Sequence, residues 1–459
     1  MQEERFVVFP ALKEKIVVVK GYGASGIYDL NLGLFHRVSH EGGDFLLNEL
    51  KGRRHIDEFS DDLKEFISMA NEMNLIRYHS EQIEFTPTSL ESVVSSSRPV
   101  RFAWIEVSSI CNQKCLHCFL GEDLNKYKFT DFEKIKEYVD SLIDAGAKQI
   151  VFSGGEPTLH PKINEILDYA GQTQVNISLL TNGSSIKSKN TLDAMLRNDV
   201  VVKIPLLGWR NSHEIMGGVG SSFKKTIETI FYYSRNGVRV QLGTTVTSLN
   251  IADIPKIRQF AKFMGLPLEV SPIYNIGFAK NNRRVLFQHP MREFIDACRI
   301  DNDELKPRYG LKSKQRATVL QEKTDYDSVD LRNYLTDTHE CGQKIIAVLS
   351  SGEVTPCLMI RSNEFSLGNA KDKSLKEILN SPTRSEFENK MKLNNVVDCR
   401  GCEARYVCKA GGCPATSLAF KGNLHEKNPL YSQCYYVNAE TVQNLEDLKN
   451  EAGVIEVAQ

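Results

Sequence analysis

The chain has 459 residues, 41% hydrophobic and 25% charged, enough for roughly two or three domains with ample cores. Lys and Arg number 57 against 58 Asp and Glu, a balance that argues against a general nucleic-acid or membrane surface and leaves only local basic patches. No stretch reaches the roughly eighteen apolar residues a membrane helix needs. The start MQEERFVVFP lacks a signal peptide's basic and apolar regions, and eleven cysteines in a chain read as cytoplasmic point to metal or redox chemistry rather than disulfides.

Residues 1–88 read as one unit. Strand-like KIVVVKG and GIYDLNLG precede helical DFLLNELKG and SDDLKEFISMANEMNLI, and IEFT reads as a returning strand. Ser60, with Lys64 and Phe66 after it, suggests a capped amphipathic helix. The layout is winged-helix-like, but its mixed charge argues against a nucleic-acid partner. A Ser-rich linker, SLESVVSSSRPV, fills 89–100.

From 101 to 278, β-rich runs alternate with amphipathic ones, the pattern of a parallel sheet with crossover helices. The strands are FAWIEVS, QIVFSGG, VNISLLTNG, VVKIPLL, VRVQLGTTV and LEVSPI. Between them run FEKIKEYVDSLIDAG, KINEILDYAGQ, KNTLDAMLRN, FKKTIETIFYYSRNG and IADIPKIRQFAKFMG. Asp131 and Glu133 suit a helix's first turn, and Gly146, Gly237 and Gly265 suit left-handed C-terminal caps. Six such units make an α/β fold of partial (β/α)6 barrel type, with ligands expected at the C-terminal strand ends.

Chemistry-bearing residues sit at those ends. After the first strand, CNQKCLHC places Cys111, Cys115 and Cys118, three thiolates where an iron-sulfur cluster usually takes four. Short Cys runs also build zinc sites, and His117 between the cysteines is itself a zinc ligand by type. The second strand ends in Gly154, Gly155, Glu156 and Pro157. Glycines there let main chain approach a ligand, and a carboxylate beside exposed carbonyls can accept from an ammonium group; alone, the same four residues also read as a strand-to-helix turn. The third strand ends in Thr181, Asn182 and Gly183, also a common turn pair, and the fifth in TTVTSLN at Asn250. The fourth ends in Pro205, Leu206, Leu207 and Gly208.

Residues 279–340 are highly charged, as in AKNNRRV and KPRYGLKSKQR. They read as a solvated insert, or as a cover for a substrate or a contact for an acidic leader. Cys298, in FIDACRI, reads as a small buried hydrophobe. A second array occupies 341–440: Cys341, ten residues, Gly352, four residues, Cys357, then Cys399, Cys402, Cys408, Cys413 and Cys434. The CxxC at Cys399 is also a zinc-ribbon element. A tail, 441–459, follows.

The pairing of CNQKCLHC with GGEP resembles the signature of the radical S-adenosylmethionine (SAM) enzymes. The resemblance implies a [4Fe-4S] cluster on Cys111, Cys115 and Cys118, whose open iron is chelated by the SAM amino and carboxylate groups. Reductive cleavage then yields a 5′-deoxyadenosyl radical. It further implies that Gly154 to Pro157 hold the methionine amino group, that His117 lies beside the adenine, and that Asn182 and Asn250 make polar contacts to SAM. Relatives often carry Ser-Leu-Asp-Gly where this chain has Pro205 to Gly208, so a ribose contact is missing. HEIMGGVGSSFKKTIETI resembles a segment of the peptide-modifying branch, with His213 structural.

The cysteine array closely resembles the SPASM domain, which implies two auxiliary [4Fe-4S] clusters. Cys341, Cys357 and Cys413 serve one, and Cys399, Cys402, Cys408 and Cys434 the other. Four residues, KAGG, separate Cys408 from Cys413 where the family usually has three. YLTDTHE supplies no further Cys before Cys341, so one auxiliary iron is expected to be open to a substrate thiolate or another nonprotein ligand, unless Asp337 or His339 fills it. The N-terminal unit is similar to the RiPP recognition element, in which a leader peptide adds to a sheet edge. Together these resemblances lead us to expect a maturase that crosslinks a ribosomally made precursor peptide, as a Cys thioether, with an electron donor such as flavodoxin or ferredoxin and no nucleic-acid or membrane partner. Carbon-carbon or carbon-oxygen crosslinking, formylglycine formation on a sulfatase and a nonenzymatic scaffold are the alternatives.

Overall fold

The computed structural model describes residues 8–32, 34–93, 99–184, 188–298, 337–408 and 413–426. KPRYGLKSKQR, Cys434, the 441–459 tail and the Cys408 side chain lie outside the described residues.

The N-terminal unit begins with β1 (Phe9–Leu12), then three antiparallel strands, β2 (Ile16–Lys20), β3 (Ser25–Asp29) and β4 (Leu34–Val38). Helices α1 (His40–Asn48) and α2 (Asp61–Glu72) follow, and β5 (Ile76–His79) returns to pair with β1. Leu12, Ile27, Leu46, Leu50, Ile67 and Ile76 form its own core. Ser60 is the N-cap of α2 but makes no side-chain cap bond. The returning strand is IRYH rather than IEFT. Ile83 and Phe85 donate their N–H groups to the carbonyls of Gly52 and Lys51, so IEFT runs extended along a loop while β5 makes the ladder.

A single helical turn, α3 (Leu90–Val93), lies in the linker. Then come six parallel strands: β6 (Phe102–Ser108), β7 (Gln149–Gly154), β8 (Asn176–Leu180), β9 (Val201–Pro205), β10 (Arg239–Val246) and β11 (Leu268–Pro272). Each pairs with the next in chain order. The helices between them are α4 (Phe132–Asp144), α5 (Ile163–Gly171), α6 (Lys189–Arg197), α7 (Asn211–Gly217), α8 (Ser222–Arg235) and α9 (Ile254–Met264). Asp131 caps α4 by accepting from Glu133 N at 2.9 Å, and Gly146, Gly237 and Gly265 stop α4, α8 and α9 at φ of 98°, 87° and 66°. Buried Ile105, Phe152, Leu179, Val202 and Leu242 on the strands meet Val139, Leu142 and Leu167 on the helices, each contributing about 1.5–3 kcal/mol.

The barrel stays open, and its β6 edge is covered by the cysteine-rich region. Strand β12 (Ile345–Val348) pairs in parallel with β6, and β13 (Glu353–Thr355) and β14 (Gly368–Asn369) extend the sheet to nine strands. Cys341, Val348, Val354 and Ile360 belong to the same core as the barrel strands, so this part of 341–440 is built onto the barrel rather than beside it. A bare β6 edge would leave a row of unpaired backbone groups. The stretch AKNNRRV also differs from a solvated insert. It forms α10 (Phe278–Asn281) and α11 (Arg283–Leu286), which with α12 (Met291–Cys298) bury Ala279, Leu286 and Phe294 against Ile254, Ile257 and Val270. Cys298 packs on that apolar cluster, and burial pushes its thiol up to about 12. Among the described residues no helix is long and apolar enough to cross a membrane.

Candidate functional site

The loop after β6 carries Cys111, Cys115 and Cys118 across the C-terminal end of β7. Ser108 O accepts from Gly155 N at 2.9 Å, and Ile110 O accepts from Glu156 N at 2.8 Å. A Cβ on Gly154 would lie 2.0 Å from Ser108 O, and one on Gly155 2.3 Å from Ile110 O. The close approach expected at these glycines is therefore made by the cysteine loop itself. Gly154 also holds φ of 137°, which side chains disfavour. Asn125 Oδ1 accepts from Cys111 N at 2.8 Å, fixing the start of the loop.

Glu156 is fully buried. Its Oε1 accepts from Thr158 N at 3.1 Å, from Thr181 Oγ1 at 2.6 Å and from the Thr158 hydroxyl, while Oε2 accepts from Asn182 N at 2.7 Å. Burial raises its pKa and these donors oppose the rise. The carboxylate clasps the C-terminal tip of β7 to that of β8. Pro157 follows as the first residue of a short 3₁₀ turn, Pro157–Leu159.

The three thiols are half-buried. Burial pushes Cys111 up to about 11, and burial with the neighbouring thiols pushes Cys115 higher still; burial also raises Cys118. Such thiols keep their protons until a metal displaces them. Three soft donors without a carboxylate suit iron-sulfur ligation. Among the described residues no three His, Cys, Asp or Glu side chains form a site for a single metal ion, whereas a four-iron cluster spreads its thiolates over separate corners.

Other predicted contacts divide into two kinds. Asn182 Nδ2 lies 3.8 Å from Cys111 Sγ and donates to Asn112 Oδ1 at 2.8 Å, so it reaches a ligand sulfur, where hydrogen bonds tune cluster potential. His117 keeps a buried Nδ1 without a partner, and burial lowers its pKa to about 4; the neutral ring has a nitrogen left for a bound group. Asn250 is different. Its Nδ2 donates to Leu207 O at 2.6 Å and Thr245 O at 2.8 Å, and its Oδ1 accepts from Thr247 N at 2.7 Å. With the amide engaged on both sides and 1% exposed, Asn250 holds the β9 and β10 tips together. His213 Nδ1 accepts from Leu207 N at 3.2 Å, a structural role as expected.

The second array converges in part. The Cys341 and Cys357 thiols hydrogen-bond each other, which raises the first and lowers the second; Cys413 lies close enough to raise Cys341 further and is itself raised by burial and by Cys357. Cys413 is the N-cap of the helix Pro414–Lys421, so the longer KAGG spacing does not keep it away. Glu340 is among the groups that raise Cys341. Cys399 and Cys402 share a tight turn, Cys402 N donating to Cys399 O at 2.9 Å.

Sequence reasoning missed a buried ion cluster beside the first site. Glu106, in the middle of β6, accepts from Arg361, which also donates to Asp123 at 3.1 Å. A carboxylate within the apolar run FAWIEVS was the available signal; nothing local marks Arg361. Tyr274, just beyond β11, was missed as well. It is half-buried near Cys413 and Cys357, and the burial of its hydroxyl raises its pKa.

Residues 105–261 match the radical SAM superfamily, and residues 340–403 match the SPASM iron-sulfur cluster-binding domain. The chain is similar to the antilisterial bacteriocin subtilosin biosynthesis protein AlbA of Bacillus subtilis, 26% identical over 338 residues that cover 71% of this chain and 69% of AlbA. It is also similar to the AdoMet-dependent heme synthase of Methanosarcina barkeri, 24% identical over 361 residues, 73% of this chain and 97% of the synthase. Its fold resembles that of Streptococcus suis SuiB, solved with the precursor peptide SuiA, with a TM-score of 0.53, 15% identity and coverage of 91% of this chain and 98% of SuiB.

Proposed function

From a chain that is a radical SAM enzyme with SAM and iron-sulfur clusters as cofactors, we infer a peptide maturase that installs an intramolecular crosslink, a Cys thioether, in a ribosomally made precursor. The observation that carries this reading is the gathering of Cys341, Cys357 and Cys413 without a fourth cysteine among the described residues. Three protein thiolates on a four-iron cluster leave one corner for a substrate thiolate. The likeness to a bacteriocin biosynthesis protein supports a peptide substrate. So does a fold, shared over 91% of the chain, that has been seen with a precursor peptide; the heme synthase match spans 73%.

When bound, SAM and its cluster would supply a deoxyadenosyl radical able to take a hydrogen atom from a peptide carbon, and an auxiliary cluster would supply an acceptor for the electron released as the deprotonated thiol bonds to that carbon. The protein's own residues prepare that chemistry. Cys111, Cys115 and Cys118 would hold the SAM cluster, Gly154 and Gly155 seat their loop, and Asn182 would tune Cys111. His117 offers its free ring nitrogen to the adenine. In the N-terminal unit, β4 is an outer strand of the order β2-β3-β4, an edge to which a leader peptide can add as a further strand. A flavodoxin or ferredoxin would deliver the electrons.

The test is mass spectrometry on anaerobically reconstituted, reduced enzyme with SAM and a Cys-containing precursor encoded nearby. The expected product is lighter by two hydrogens, with one fewer alkylatable thiol and 5′-deoxyadenosine released. A crosslinked product with every thiol still alkylatable would point to carbon-carbon or carbon-oxygen bonding, and loss of a cysteine sulfur to formylglycine. No deoxyadenosine at all would leave a scaffold.

A further inference from the structure

Arg361 lies four residues beyond the auxiliary ligand Cys357, yet its guanidinium belongs to the other cluster site. Nη1 donates to Glu106 Oε1 on β6, and Nη2 donates to Asp123 Oδ2 at 3.1 Å in the loop that follows Cys118. Ser350, between β12 and β13, completes the carboxylate: its N and Oγ lie 3.1 and 3.3 Å from Glu106 Oε2. The guanidinium sits 5.8 Å from the Phe119 ring, one residue from Cys118, whose thiol feels both Arg361 and Glu106. Side-chain exposure is 11% for Arg361 and 0% for Glu106, and Arg361 Nε is buried without a partner.

Four residues of backbone span at most about 14 Å. The auxiliary ligand and the SAM-cluster loop are thus joined by one short segment, which Leu358 anchors among Ala347, Leu349, Trp104 and Phe119. Apolar side chains of similar volume would hold such a joint at least as firmly, because burying an Arg and a carboxylate costs desolvation that their attraction only partly offsets. What apolar side chains would not supply is a fixed positive charge beside Cys118. In a poorly solvated site that charge acts on a neighbouring anion far more strongly than it would in water.

We propose that Arg361 is a positioning residue for the cluster held by Cys111, Cys115 and Cys118: it pins the Cys118 end of the loop to β6 and to the auxiliary segment, and its charge raises that cluster's reduction potential. Adding an electron makes a cluster more negative, so a nearby cation favours the reduced form. Asp123, paired to the same guanidinium, acts in the opposite sense. The inference rests on the cluster assignment alone and is independent of what the peptide undergoes.

The experiment is a redox titration followed by electron paramagnetic resonance on full-length, anaerobically reconstituted protein, with iron content and SAM cleavage measured without peptide. Arg361→Met is expected to move the SAM-cluster potential in the negative direction and slow SAM cleavage by about tenfold. Arg361→Lys is expected to stay near the parent, and Asp123→Asn to move the potential in the positive direction. Unchanged potentials at full iron loading, or shifts of the same sign in Arg361→Met and Asp123→Asn, would overturn the proposal. Should Arg361→Met lose its cluster, the sign of the shift in Asp123→Asn, which leaves the Arg361–Glu106 pair in place, decides. A peptide left uncrosslinked by enzyme whose potentials behave as expected would instead count against the thioether reading.

Discussion

Arg37 on β4 and Glu403, the residue after Cys402, form an ion pair at 2.6 Å across 366 residues of chain. Tyr28 Oη donates to Glu403 O at 2.5 Å, and a Cβ on Gly21 would lie 2.2 Å from Glu403 Oε2. Val17, Val19 and Tyr28 share a core with Leu393, Val396 and Cys399. The strand edge proposed for the leader is therefore fastened to the turn that carries two auxiliary cysteines.

Breaking that fastening has a calculable sign. Glu403 has a side chain only 6% exposed, so Arg37→Met leaves a carboxylate buried without its counter-ion. The expected loss is about 1–3 kcal/mol, tempered because Arg37 itself is partly solvated. Arg37→Met combined with Glu403→Gln should recover much of it, since both charges are then gone. Urea midpoints in a double-mutant cycle and hydrogen exchange of β2 to β4 measure the effect; additive losses would show that the pair does not couple the two regions.

Gly155→Ala tests the seating of the cysteine loop. Its Cβ would lie 2.3 Å from Ile110 O and 2.5 Å from Ile110 C, both backbone atoms, so the loop must shift. Overpacking of this kind costs about 1–3 kcal/mol, and here it falls on the segment leading to Cys111. Iron content assigned to the SAM cluster and SAM-dependent paramagnetic resonance should fall, with SAM cleavage. Gly220→Ala, where nothing lies within 4 Å, should keep both.

The alternation of strands and helices from Phe102 to Pro272 was legible because each element satisfies its own period and its own cap, as at Asp131 and Gly265. The cluster cysteines were legible for the same reason, all three lying in one eight-residue run. Long-range pairings left no local mark. The parallel ladder of β12 on β6 joins Ile345 to Phe102, and neither segment announces a partner so distant. IEFT misled because Ile83 and Phe85 alternate as a strand would, although their backbone bonds go to a loop. Direction was also invisible. GGEP names a carboxylate, but only packing shows that Glu156 takes Thr181 and Asn182 as its partners.

Asn182 and Asn250 should separate experimentally. Asn182→Ala removes a donor 3.8 Å from Cys111 Sγ; fewer N–H groups toward a ligand sulfur favour the oxidised cluster, so the potential should move negative with little loss of fold. Asn250→Ala strands Leu207 O, Thr245 O and Thr247 N in a buried site, at a cost of about 2–4 kcal/mol. Its potential should stay unchanged in whatever protein folds. Thermal melts paired with redox titration distinguish the two patterns, and a potential shift in Asn250→Ala would return it to the cofactor.

Acid should weaken this protein through His213. Burial, with His117 nearby, lowers its pKa to about 4, against about 6.5 in an unfolded chain. The neutral ring accepts from Leu207 N, and the unfolded chain takes up the proton first as pH falls. The contribution is fully present above pH 6.5 and is lost as pH drops toward 4, about 2 kcal/mol of it by pH 5. His213→Asn can keep an acceptor for Leu207 N while removing the titration. Between pH 7.5 and 5 its urea midpoint should therefore drift less than the parent's, and because His117 and the cluster cysteines remain in both proteins, the difference between the two drifts isolates His213. Equal drifts would mean that His213 does not lose a proton on folding.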